Sequence, residues 1–248
     1  MQSTRTIEIS VDSLAKALAA ERGGAHRIEL CSDLSQGGLT PDAELLRSVR
    51  ELVRLPIFAM IRPRGGDFVY SDTEYAEVQR EIETARRLGA DGLVFGLLQR
   101  DGQVDVRRTQ RLVEVARPLP VTFHRAIDVS ADIYKALEDV MQTGAVRVLT
   151  SGGAATAPEG AASLAKLVQA ASGRIIVMPG CGITASNVTQ VAKSTAAREF
   201  HAGLSSVSLE DNAEEKRFEE EVRRLAEALA LIPSIDFRTS ETDSELER

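Results

Sequence analysis

Eight times along the chain, a short run of β-branched and aliphatic residues is followed by a longer amphipathic segment, at a spacing of roughly 30 residues. The strand-like runs fall at 6–10, 27–31, 57–62, 92–96, 121–124, 146–150, 175–178 and 199–201. The helix-like segments fall at 11–22, 41–53, 72–88, 105–116, 132–142, 159–171, 185–193 and 214–231. Eight such units with no dividing linker suit a closed (β/α)8 barrel of the TIM type, in one domain, better than an open doubly wound sheet. The first strand also leads into Ser10-Val11-Asp12-Ser13, which has none of the glycines of a dinucleotide-binding turn. Thr40 before Pro41 and Thr184 before Ala185 are expected helix N-caps, and Gly23, Gly89 and Gly144 expected left-handed C-caps. The barrel accounts for residues 1–235, and the polar, aperiodic stretch 236–248 is expected to be a disordered tail.

Composition removes several classes of function. A net charge of −7, dispersed along helices, argues against nucleic acid as a partner. No apolar run is long enough for a transmembrane helix, and residues 1–5 lack the apolar core of a signal peptide, so no membrane partner and a cytoplasmic location are expected. Two cysteines, Cys31 and Cys181, fit a reducing compartment without a disulfide framework. The five lysines all fall in helix-like segments, which argues against a Schiff-base lysine at a strand end.

Alternation within the strands sorts side chains into those facing the helices and those facing the barrel interior. Ile7, Ile9, Ile28, Leu30, Ile57, Ala59, Ile61, Val121, Phe123 and Phe200 are assigned outward. That leaves Glu8, Ser10, Arg27, Glu29, Cys31, Phe58, Met60, Arg62, Thr122, His124, Glu199 and His201 inward. Buried charges are costly unless paired, and the simplest pairing is Glu29 with Arg62 on the neighbouring strand. Six ionisable groups (Glu8, Glu29, Arg62, His124, Glu199, His201) converging on one mouth exceed what stability needs, and barrel sites lie at the C-terminal strand ends.

Four stretches carry candidate chemistry. Arg62-Pro63-Arg64-Gly65-Gly66-Asp67 follows the third strand and reads as an anion clamp for Arg62; for Arg64, a clamp and a local ion pair are equally open. The aromatic run Phe68-Val69-Tyr70 suits either a lid or a patch for a second subunit in a homo-oligomer. His124, ending the fifth strand, is a candidate acid or base, with Arg125 as a further anion ligand and Asp128 placed to orient either group. Thr150-Ser151-Gly152-Gly153 and Pro179-Gly180-Cys181-Gly182, together with His201-Ala202-Gly203, offer backbone N–H groups for an anion. A soft metal would seek both cysteines, but strands two and seven lie roughly 14 Å apart along the wall, at about 4.8 Å per strand.

Ile28-Glu29-Leu30-Cys31 with Gly37-Gly38-Leu39-Thr40-Pro41, Ile61-Arg62-Pro63-Arg64-Gly65-Gly66-Asp67-Phe68 with Tyr70-Ser71-Asp72, Val121-Thr122-Phe123-His124-Arg125-Ala126, and Arg147-Val148-Leu149-Thr150-Ser151-Gly152 together resemble the copper homeostasis protein CutC family, in order from about residue 6 to 203. The resemblance implies a cytoplasmic TIM-type barrel that participates in copper homeostasis, with a Cu(I) role for Cys31. Members often carry a cysteine at the end of the first strand, where this chain has Glu8-Ile9-Ser10-Val11. The residues themselves suggest a second function: an enzyme on a small anionic, phosphorylated or carboxylated substrate. In that reading Arg62, Arg64 and Arg125 hold the anion, the loops at Ser151, Gly152, Gly180 and Gly182 with His201 complete the pocket, and His124 with Glu29 moves a proton.

Overall fold

The computed structural model describes residues 5–204 and 212–232. The strands are β1 (Thr6–Val11), β2 (Arg27–Leu30), β3 (Ile57–Met60), β4 (Gly92–Phe95), β5 (Val121–Phe123), β6 (Arg147–Thr150), β7 (Ile176–Pro179) and β8 (Glu199–Gly203). The helices between and after them are α1 (Leu14–Arg22), α2 (Ala43–Leu52), α3 (Asp72–Arg87), α4 (Val106–Ala116), α5 (Ile133–Thr143), α6 (Ala161–Ala171), α7 (Val188–Thr195) and α8 (Asn212–Ala230). All paired strands are parallel, in the order β7-β6-β5-β4-β3-β2-β1-β8. Among the described residues no backbone ladder joins β7 to β8, yet the two lie against each other and bring the sheet round into a barrel. The expected TIM-type fold is present.

Alternation along the strands separates two apolar zones. Ile7, Ile9, Ile28, Leu30, Ile57, Ala59, Ile61, Val121, Phe123 and Phe200 all belong to the large core between sheet and helices. Cys31, Phe58, Met60 and Val94 form a second, small cluster. Both assignments follow from the period of two, because a pleated strand leaves each side chain only two directions.

Several helix ends differ from expectation. Asp42, not Thr40, caps α2, accepting from the Leu45 N–H at 2.7 Å. Thr40 instead accepts from the Arg62 N–H and donates to Glu81, which pins the chain leaving β3. Asn187 precedes α7, and Thr184 donates its N–H to the Asn187 side chain. Of the three expected left-handed C-caps, Gly144 is one (φ 86°); Gly89 has φ 89° but follows the cap residue Leu88, and Gly23 is right-handed at φ −73°. Gly23 has a different reason to be glycine: a Cβ there would lie 2.7 Å from Val222, where α1 and α8 approach. The stretch 236–248, expected to be a tail, lies outside the described residues.

Candidate functional site

A chain of charged groups rises through the barrel. At its floor, Arg147 opening β6 and Arg27 opening β2 share the Glu199 carboxylate of β8, at 2.6 and 2.9 Å. Arg27 also pairs with Glu8, its register neighbour in β1. Both guanidiniums lie over the Phe58 ring, at 4.7 and 5.4 Å from its centroid. That ring explains Gly92 at the start of β4, where a Cβ would fall 2.5 Å from it. One step higher, Glu8 and His201 Nδ1 are 2.8 Å apart, and His201 Nε2 lies 3.7 Å from Glu29.

Burial penalises the charged form of each of these groups, and their neighbours decide the result. Burial raises the Glu8 pKa, but Arg27 and His201 outweigh it and hold Glu8 well below the usual carboxylate range. Burial lowers the His201 pKa, but Glu29 and Glu8 outweigh it and draw His201 upward. Burial pushes Glu29 up to about 7, and the charge on His201 offsets only part of it. The expected Glu29–Arg62 ion pair is not formed: among the described residues Glu29 has only His201 as an ionic neighbour, and its Oε1 has no hydrogen-bond partner.

Above this chain, at the C-terminal strand ends, is a cavity of about 590 Å³. Glu29, Arg62, His124, Arg125, Gly182 and His201 of the sequence-derived set all line it. Phe68, Met60 and Leu149 supply apolar wall. His124 follows β5 and caps a 3-10 turn at Arg125–Val129, its Nδ1 accepting from the Ala126 N–H at 3.3 Å. A backbone N–H can only donate, so Nδ1 carries the lone pair and Nε2 carries the proton. Burial, helped by the charge on Arg62, lowers the His124 pKa to about 3. His124 is therefore a neutral donor at neutral pH, and among the described residues its Nε2 has no partner. Gly96 makes room for it, since a Cβ there would fall 2.7 Å from Nδ1.

Arg62 is buried, at 5 % exposure, and among the described residues it forms no ion pair. Its guanidinium donates to the carbonyls of Gln36, Gly38 and Gly66 at 2.6, 3.2 and 3.0 Å and lies over the Phe68 ring at 4.9 Å, while Nε has no partner. Phe68 in turn packs on His124, with centroids 4.8 Å apart. Between the two expectations for the aromatic run, this places Phe68 against the mouth and leaves Tyr70 buried.

Other sequence-derived residues lie elsewhere. Arg64 does not line the cavity: it holds the loop before α3 together by binding Glu74, Asp67 and the carbonyls of Gly65 and Val69. Glu74 also completes the capping box with Ser71 that starts α3. Ser151 and Gly152 do not present free N–H groups to the cavity. Asp128 accepts from the N–H groups of Ser151 and Gly153 at 3.0 and 3.1 Å, and Thr150 accepts from Gly152 at 2.9 Å. The glycine loop has thus taken up an anion of the protein's own, which also binds Arg125 at 2.9 Å. Gly180 is small because Leu149 lies 2.4 Å from where its Cβ would be, and its N–H donates to Thr150.

Cys31 is fully buried, its thiol donating to the Val11 carbonyl at 3.5 Å, and burial pushes its pKa well up. The side chains of Cys31 and Met60 both flank Gly38, within 3.4 and 3.5 Å of where a Cβ would stand. Cys181 lies in the cavity wall. Glu8, Glu29 and His201 bring three potential donor atoms within 4.8 Å of one another. This oxygen and nitrogen set does not fit Cu(I), which takes soft sulfur donors, and Glu8 is already neutralised by Arg27 and His201. Arg147 was absent from the inward set, although Val146-Arg147-Val148 places its charge between two β-branched residues.

The match to known proteins covers the barrel. The CutC family model matches residues 5–206. The family protein CutC of Xylella fastidiosa (strain 9a5c) is 50% identical over 207 residues, 84% of this chain and 78% of that protein. The human copper homeostasis protein cutC homolog is 50% identical over 200 residues, 81% of this chain and 73% of that protein. The solved structure of the CutC protein of Streptococcus agalactiae superposes with a TM-score of 0.76 at 29% identity, covering 80% of this chain and 98% of that one. With the barrel, its motifs and half of its residues shared in this way, the chain belongs to the CutC family.

Proposed function

We propose that this protein takes part in copper homeostasis. The observation that carries this reading is the 50% identity, over 200 residues, to the human protein that bears that name. A finer version has the chain binding Cu(I) through Cys31. Its support is that the Cys31 thiol and the end of the Met60 side chain both lie beside Gly38 in one small buried cluster, and that thiol and thioether are soft donors of the type Cu(I) takes. Binding would release the thiol proton, so affinity should rise with pH. Anaerobic Cu(I) titration against a competing chelator tests it, with Cys31→Ser binding more weakly than the wild type. Equal, weak binding by both removes the Cu(I) part.

A second reading is favoured by Arg62. A buried guanidinium held by carbonyl dipoles and the Phe68 ring, with no carboxylate against it among the described residues, leaves a positive charge at the cavity that a small anion would complement. In that reading the cavity takes a phosphorylated or carboxylated small molecule, with Arg125 at its rim. Thermal-shift measurements against a panel of such compounds test it. At least one should stabilise the wild type more than Arg62→Ala, and a panel without such a compound rejects the reading.

A further inference from the structure

Among the described residues three buried polar atoms of cavity-lining residues have no partner, and two of them, His124 Nε2 and Glu29 Oε1, are chemically complementary. His124 Nε2 bears a proton and can only donate, because its other nitrogen is committed to the Ala126 N–H. Glu29 Oε1 is a carboxyl oxygen whose twin oxygen is turned toward His201. Neither is explained by the fold: each would be cheaper to bury if it had been paired, as the charges at the barrel floor are. Copper binding at Cys31 uses neither.

We propose that the cavity binds an anionic carbonyl compound and enolises it, with Glu29 taking the proton α to the carbonyl while His124 Nε2–H donates to the carbonyl oxygen. The proposal rests on the anion reading of Arg62 given above. In the step, the α C–H bond breaks and its proton goes to Glu29 Oε1. The bonding pair becomes the C=C bond of the enolate, and the carbonyl π pair moves onto oxygen, where the imidazole N–H holds the charge. Returning the proton to the same carbon closes the sequence with nothing consumed. The charge on Arg62, next to His124, favours the same developing oxyanion. Met60, Phe68 and Leu149 give the site an apolar wall that limits water around the enolate.

In this proposal His124 and Glu29, the two residues expected to move a proton together, take different parts. A neutral imidazole whose Nδ1 is tied to backbone is a polarising donor, and the proton traffic falls to the carboxylate.

The test is hydrogen exchange in D2O, followed by proton NMR, with dihydroxyacetone phosphate and pyruvate as the phosphate-bearing and carboxylate-bearing probes. Binding of each probe is measured in parallel by thermal shift. The wild type should exchange the α protons of at least one probe about 100-fold faster than Glu29→Gln, a near-isosteric variant that keeps the fold. His124→Leu should also lower the rate about 100-fold while the probe still binds. Probes that bind without wild-type exchange above the Glu29→Gln rate overturn enolisation and leave the anion reading standing. Probes that neither bind nor exchange overturn both. Which probe exchanges identifies the anionic group.

Discussion

At the floor of the barrel Arg27 and Arg147 meet Glu8 and Glu199 in mutual ion pairs, two groups of each sign. Among the described residues Glu29, two residues further along β2, has an unpartnered oxygen, Arg62 after the adjacent strand has no counter-ion, and His124 has an unpartnered N–H. The residue types and the burial are alike, so burial alone does not distinguish structure from function here. What separates the two regions is whether the buried groups satisfy one another. A satisfied set costs little to keep, whereas an unsatisfied one is a standing penalty that a ligand would relieve.

The largest expected effect comes from breaking the floor. Arg27→Met leaves Glu8 and Glu199 buried with less compensation and should cost about 3–5 kcal/mol in urea unfolding. Glu29→Gln at the mouth should by contrast be neutral or stabilising, since it removes a charge the fold does not satisfy. Equal losses from the two substitutions would erase the distinction between the regions.

Acid should sharpen it. His124 is held neutral with its pKa lowered to about 3, against an ordinary value of 6.5. The unfolded chain therefore binds a proton that the native state refuses, and stability present above pH 6.5 falls as pH drops toward 3. The loss is on the order of 3 kcal/mol by pH 4. His124→Gln should show a correspondingly shallower decline between pH 6.5 and 4 in denaturant midpoints.

A smaller effect is expected at the glycine loop. Asp128→Ala should cost about 1–3 kcal/mol by freeing the N–H groups of Ser151 and Gly153. Inorganic phosphate should then raise the melting temperature of the variant by more than that of the wild type. The smallest effect belongs to Arg64: Arg64→Ala should cost about 1 kcal/mol through the loop before α3, without weakening ligand binding at the mouth.

Local pattern carried the reading a long way. The period of two in Thr6-Ile7-Glu8-Ile9 and Ile57-Phe58-Ala59-Met60 is set by the pleat, so outward and inward residues could be sorted without any neighbour being known. Pairing could not be sorted that way. Glu29 and Arg62 sit on adjacent strands and were natural partners, but Arg62 turns to the carbonyls of two loops and Glu29 to His201 of β8. Partner choice depends on register and on how long side chains reach across a closed interior, neither of which is local.

The glycine loop after β6 teaches the same lesson. Ser151-Gly152-Gly153 announces backbone N–H groups that can hold an anion, and the chemistry was legible. Its occupant, Asp128, comes from the turn after β5, and only the packing of that turn against β6 decided that the anion would be the protein's own. By itself the sequence determined the barrel, the faces of its strands and the end at which chemistry collects, because these follow from local periodicity and turn residues. Only the tertiary structure decided which buried charges cancel and which stay open to a ligand, because that depends on distances between side chains far apart in the chain.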